Sequence, residues 1–202
     1  MKYYEKEIPE GYERVKHINA KAAKFGIIFS LIALVILAIV MVIAFLPLGG
    51  VDFDTLIENT GYAEYMISML VFFVSMLAYI VLHELVHGIA YKKLTGEKLT
   101  FGMSWSCAFC GVPHIYVYRK ASLISSAAPL VVFSVILGAL TAVLYFVNPW
   151  YYILSAFIFG LHLGGCSGDM YVILLLLFKF KDETTLIRDT GPEQSFYVKA
   201  EK

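Results

Sequence analysis

Two histidines and a glutamate stand together in His83-Glu84-Leu85-Val86-His87, and they follow about 18 residues, Tyr65 to Leu82, that carry no formal charge. On a helix, residues four apart lie about 40° apart around the axis and roughly 6 Å along it, so His83 and His87 can turn ring nitrogens toward one ion while Glu84 flanks it. A catalytic zinc takes three protein ligands and a water, and a carboxylate beside that water can accept its proton. The apolar setting sharpens this reading. An ionisable side chain at mid-bilayer costs roughly 2.5–3.5 kcal/mol on insertion scales, so three within five positions need a compensating partner, and a divalent cation supplies one. The alternative is a pair of histidines that hydrogen-bond between helices.

A third ligand must come from elsewhere in the chain. Asp169, in Gly164-Gly165-Cys166-Ser167-Gly168-Asp169, is the only carboxylate inside any other apolar stretch. It lies about ten residues, roughly 15 Å of helix, before Lys179, a depth compatible with His83 and His87. The glycines around it let a helix approach a neighbour closely or unwind where a site needs it. His162, two turns earlier on the same helical face, is a possible alternative ligand, a partner orienting Asp169, or an oxyanion donor; its plain reading is an interhelical hydrogen bond. Cys107-Ala-Phe-Cys110 with His114 offers three of the four ligands of a zinc clip, against a reduced pair on a loop. Cys166 reads as a small packing residue with a minor metal role left open, and three cysteines form no disulfide framework.

These residues must be positioned by membrane helices. The 202 residues are 59% hydrophobic and 16% charged, with a mean hydropathy of +0.74, which places the chain in the membrane class. Four stretches can cross a hydrocarbon core roughly 30 Å thick: Phe25 to Leu48, Tyr65 to Tyr91, Ala121 to Val147, and Trp150 to Phe178. The first is too long, behind too long a polar leader, for a cleaved signal peptide, and reads as a retained anchor. Sixteen basic residues balance sixteen acidic ones, so no global field points to nucleic acid. The basic ones crowd the leader, the 92–120 loop and the tail. The connection from Gly49 to Glu64 carries Asp52, Asp54, Glu58 and Glu64 instead. The positive-inside rule then places both termini and the 92–120 loop in the cytoplasm of a multi-pass cell-membrane protein, with Trp150, Tyr151 and Tyr152 as an aromatic belt on the opposite face.

The chain therefore reads as an all-α membrane protein of about four transmembrane helices, with a short β-hairpin or re-entrant loop between helices 2 and 3, where Gly96, Gly102 and Gly111 punctuate β-prone runs. A cytoplasmic leader (1–24) precedes a four-helix domain (25–180, core about 65–180), and a tail (181–202) follows. Leader and tail, broken by Pro9-Glu10-Gly11 and Gly191-Pro192, read as extensions of marginal order.

Three local motifs carry a family resemblance over roughly Tyr65 to Phe180. His83-Glu84-Leu85-Val86-His87-Gly88, Ala127-Ala128-Pro129 and Gly168-Asp169 resemble the zinc helix, the Ala-Gly-Pro helix and the acidic third-ligand motif of the site-2 protease group of intramembrane zinc metalloproteases. The chain is similar above all to a family of small bacterial membrane proteins described as putative zincin peptidases. It departs from the larger group in having Ala128 for Gly, and Met170 after Asp169 where Asn-Pro-Asp-Gly is usual. The resemblance implies that spans two to four form the core, and that the 95–118 loop corresponds to strands that meet an extended substrate.

The resulting expectation is a zinc metalloendopeptidase: Zn²⁺ on His83, His87 and Asp169 activates a water, Glu84 takes its proton and returns it to the leaving amine, and a membrane-protein substrate is cut near the cytoplasmic side. The lipid bilayer is its medium, and a regulatory membrane partner or a homo-oligomer would gate access. Competing readings are a catalytically inactive metal-binding scaffold, a zinc transporter, and, more remotely, a haem protein using His83 with His162. The orientation is tested with a membrane-impermeant thiol reagent on whole cells, in a chain whose own cysteines are replaced. A cysteine introduced by Glu58→Cys is labelled and one introduced by Lys98→Cys is protected; the reverse pattern inverts the topology.

Overall fold

The computed structural model describes residues 2–50, 53–103 and 108–200. Among the described residues four helical stretches are long and apolar enough to cross a membrane: Ala23–Leu48, Tyr62–Thr95, Arg119–Tyr145 and Pro149–Lys179. Each overlaps the span expected from hydropathy, and the chain is mostly helical. It is not all-α. Among the described residues seven strands form a five-stranded sheet and a separate two-stranded hairpin, so the fold-class expectation is corrected on that point.

In chain order the elements are β1 (Tyr4–Glu5), β2 (Tyr12–Asn19), α1 (Ala23–Phe45), α2 (Phe53–Thr60), α3 (Tyr62–Thr95), β3 (Thr100–Met103), β4 (Ala108–Gly111), β5 (Tyr116–Tyr118), α4 (Arg119–Tyr145), α5 (Pro149–Gly165), α6 (Ser167–Leu174), β6 (Leu186–Asp189) and β7 (Glu193–Lys199). They fall into two compact units. One comprises Met1–Ile28, Leu82–Pro129 and Gly168–Lys202; the other comprises Phe29–Val81 and Leu130–Ser167.

The first unit holds the five-stranded sheet, ordered β1-β5-β6-β7-β2 and antiparallel throughout. Leader, middle loop and tail thus join one structure. The residues read as breakers at 191–192 turn the β6–β7 hairpin: Gly191 takes φ +97°, and Thr190 N–H donates to the Glu193 carbonyl at 2.9 Å. Register then aligns Val117, Ile187 and Phe196 across β5, β6 and β7, all fully buried. That row packs with Tyr91 of α3, Ala121 of α4, Val172 of α6 and Leu176 just beyond α6, so the sheet covers the ends of the helices. Burial of such apolar side chains stabilises by about 1.5–3 kcal/mol each, an upper figure for the segments that looked marginal in isolation.

Two polar devices tie the helix ends together and the sheet to them. Arg119 Nε donates to the Leu176 carbonyl at 2.8 Å. Leu175–Lys179 winds as a π-turn, a geometry that disturbs the regular carbonyl pairing, and the guanidinium takes one of those carbonyls. Asp189, buried at the end of β6, accepts from Tyr91 Oη (2.6 Å), from the Gly191 N–H (2.8 Å) and from Gln194 Nε2 (3.2 Å). Tyr91 lies one turn beyond His87 on α3, so the last strands are tied to the helix that carries the histidines.

The second unit is built around Trp150, Tyr152, Ile153 and Ala156 of α5, packed with Ala44 of α1 and Leu56 of α2. Asn148 caps α5 by accepting from the Trp150 N–H at 2.8 Å, with Pro149 at the first helical position. Trp150 does not sit in a lipid-facing belt. It is buried, and its indole N–H donates to Ser68 Oγ at 2.8 Å. Gly160 and Gly164 let α1 and α5 approach: a Cβ on Gly164 would lie 2.9 Å from Ala33 Cα.

Burial raises the Asp189 carboxyl to about 6, against the Tyr91 and Gly191 donors that lower it. A carboxyl raised on folding contributes most below its unfolded value and loses that contribution as pH rises toward the folded value. The Tyr91 hydroxyl favours the ionised form. Removing it by Tyr91→Phe therefore costs more at pH 8 than at pH 4, about 1–3 kcal/mol at the higher pH. Apparent unfolding temperatures in detergent at the two pH values check this, and an equal loss at both contradicts it.

Candidate metal centre

α3 presents His83, Glu84 and His87 within five residues, and α6 presents Asp169. The fourth span is interrupted at Cys166, whose N–H bonds back to the Gly164 and His162 carbonyls and ends α5. A new helix then starts at Ser167. The interruption places Asp169 in the first turn of α6, where the helix dipole favours a carboxylate. Gly-Gly-Cys-Ser-Gly is a sequence that breaks a helix readily, and here the break locates an acid inside a span.

His83 Nε2 lies 3.3 Å from Asp169 Oδ2, and His87 Nε2 lies 3.4 Å from Asp169 Oδ1. The two imidazoles stand 5.0 Å apart at 73°. All three side chains are largely withdrawn from solvent, with 11%, 12% and 21% of their surface exposed. One donor atom from each falls within 4.8 Å of the others. Both N···O separations exceed the usual charge-assisted hydrogen bond of about 2.7–2.9 Å. They match instead the spacing between two ligand atoms held about 2.0–2.1 Å from one ion at tetrahedral angles, about 3.3–3.4 Å. Two neutral imidazoles and one carboxylate are a borderline-soft donor set of the kind zinc takes. The residues present fit that ion.

His87 is oriented from behind. Its Nδ1 donates to the backbone carbonyl of Ser125 in α4 at 2.8 Å, which fixes the proton on Nδ1 and leaves the Nε2 lone pair facing Asp169. Glu84 is half-buried, and its carboxylate faces the backbone of Cys110 in β4. The β3–β4 hairpin thus lies beside the acid. Gly111 makes this position possible: a Cβ there would lie 2.3 Å from the Gly191 nitrogen.

The structure brings together His83, His87 and Asp169, with Glu84 on the same helical turn as the histidines. It places His162 in the second unit. There Tyr79 Oη lies 2.8 Å from its Nδ1 and Ser134 Oγ 3.1 Å from its Nε2, with Cys166 Sγ 3.6 Å from Nδ1. Both ring nitrogens are therefore engaged between helices. Cys107 lies outside the described residues. Cys110 is buried in β4 with its thiol pushed up to about 12, first by burial and then by the Asp189 and Glu84 charges, the condition of a packing thiol and not of a thiolate ligand. Among the described residues neither Cys110 nor His114 joins a cluster of three ligand side chains. Sequence reasoning missed the Ser125 carbonyl and the Tyr91–Asp189 tie; the first is a backbone group, and the second joins residues 98 positions apart.

No curated protein and no solved structure matches the chain. Residues 76–184 match the family described as putative zincin peptidase. That interval is more than half of the chain and contains His83, Glu84, His87 and Asp169. A His-Glu-x-x-His spacing on a helix long and apolar enough to cross a membrane, an acid carried to it by an interrupted span, and this match agree, and the chain belongs to the putative zincin peptidase family.

Proposed function

We propose that this chain is a zinc-dependent endopeptidase that cuts membrane-protein substrates at the cytoplasmic side of the bilayer. The observation that carries the reading is the convergence of His83, His87 and Asp169 at ligand spacing, with Glu84 on the same turn, inside helices long and apolar enough to span a membrane. When bound, zinc supplies a Lewis acid that polarises the scissile carbonyl and acidifies water. The chain's own residues do the rest. His83, His87 and Asp169 hold the ion, and the Ser125 carbonyl keeps the His87 proton off the coordinating nitrogen. Glu84 accepts the proton of the attacking water at its carboxylate and delivers it to the leaving amine nitrogen.

The substrate must offer an extended segment, because a helix hides its carbonyls in its own hydrogen bonds. The β3–β4 hairpin beside Glu84 is a two-stranded sheet whose outer edges carry backbone groups able to pair with such a segment, in keeping with the strand role that the site-2 protease resemblance implies. The common sheet of leader, middle loop and tail supports a topology with all three on one side, and their basic residues favour the cytoplasm. Access through the bilayer, or through a regulatory membrane partner or second copy, follows from a catalytic group set within the spans.

The test is the zinc content of detergent-purified protein, followed by cleavage of candidate membrane substrates. Wild type holds about one zinc, and His83→Ala and Asp169→Ala lose it. Glu84→Gln keeps it, with cleavage reduced about 10²–10⁴-fold. A Glu84→Gln chain that cuts at the wild-type rate excludes the base assignment, and a wild type without zinc under non-chelating conditions excludes the peptidase.

A further inference from the structure

α4 contains Pro129 in its interior. A proline has no N–H, so the carbonyl four residues earlier loses its helical donor, and the ring pushes that carbonyl aside. Four residues before Pro129 is Ser125, whose carbonyl accepts from His87 Nδ1 at 2.8 Å. The proline is fully buried and the α4 face around it is small and polar: Ser122 and Ser125 are fully buried and Ser126 nearly so. A polar backbone group exposed in this setting must find a donor. The histidine supplies one.

Resting on the metal centre proposed above, we infer that Pro129 is a positioning residue for the zinc ligand His87, acting through the Ser125 carbonyl that it releases. Two needs meet in one contact. The freed carbonyl gains an N–H donor, and the imidazole gains an acceptor that selects the tautomer with Nε2 bare and holds the ring against rotation. Partners of this kind, behind the ligand, typically change metal affinity by about 10- to 100-fold. An alanine at 129 restores an N–H that competes for the same carbonyl. The effect predicted for the site is opposite in sign to the effect on the helix, because alanine is the better helix former and proline the worst.

The experiment uses full-length protein in detergent. Zinc dissociation constants are measured by chelator competition, the zinc-free unfolding temperature by heating, and the ligand field by the visible absorption of the Co²⁺-loaded protein. Pro129→Ala is expected to weaken zinc about 10- to 100-fold and to alter the cobalt bands, while the zinc-free unfolding temperature stays at or above that of wild type. A second variant, Ala128→Pro combined with Pro129→Ala, keeps a proline kink but releases the Ile124 carbonyl in place of that of Ser125, and is expected to show the same loss. If the shifted proline holds zinc as wild type does, a kink suffices and the carbonyl assignment is wrong. If Pro129→Ala binds zinc normally, or loses affinity together with zinc-free stability, the inference is overturned while the metal centre stands. A wild type that binds no zinc overturns both.

Discussion

Within a hydrocarbon layer a polar group has no water to fall back on, and each one present must be satisfied by another part of the protein. Two imidazoles and two carboxylates in adjacent helices would be untenable separately. Their mutual placement offsets that cost, since three of these groups stand within 4.8 Å of one another at a spacing that fits a cation. Much of the surrounding chain follows from that constraint. The fourth span is interrupted so that Asp169 begins a helix, small serines bring the α4 backbone up to α3, and a freed carbonyl meets the histidine that needs an acceptor.

The same rule operates at the membrane boundary, in milder form. Arg119 reaches back to the carbonyl of Leu176, and Asp189 is buried with three donors around its two oxygens. The first joins the start of α4 to the end of the fourth span and the second joins β6 to α3, each through a backbone or charged group that would be costly to leave alone. The zinc-motif helix is thereby gripped at two levels: His87 by α4, and Tyr91, one turn on, by the end of β6.

The spans and the motif were legible in the sequence because both are local. Twenty apolar residues announce a span, and a histidine spacing of four announces a shared helical face. Asp169 was legible by contrast, as the lone acid of an apolar run. The sheet was not legible. β2 and β7 pair over a separation as large as 187 residues, between Tyr12 and Lys199, and neither has enough apolar surface to read as an ordered strand without the other. The pair at Gly191-Pro192 looked like a break in order and is a hairpin turn. Trp150 looked like an interfacial anchor, and a serine on α3 drew its indole inward. The Ser125 carbonyl leaves no trace in the identity of Ser125; its trace is the proline four places later.

The pairing of β2 with β7 sets the order in which this protein can become itself. β2 precedes all four helices and, among the described residues, has no neighbour in the sheet except β7, so it stays single while those helices are made. Contacts this distant in sequence form late, since loop closure precedes any reward. Asp189, which ties the sheet to α3, lies in the strand just before β7. A chain halted after its third span would carry His83 and His87 without Asp169, without β6 and β7, and without the Tyr91–Asp189 tie. The cluster of His83, His87 and Asp169 is therefore complete only in chains whose fourth span has been made.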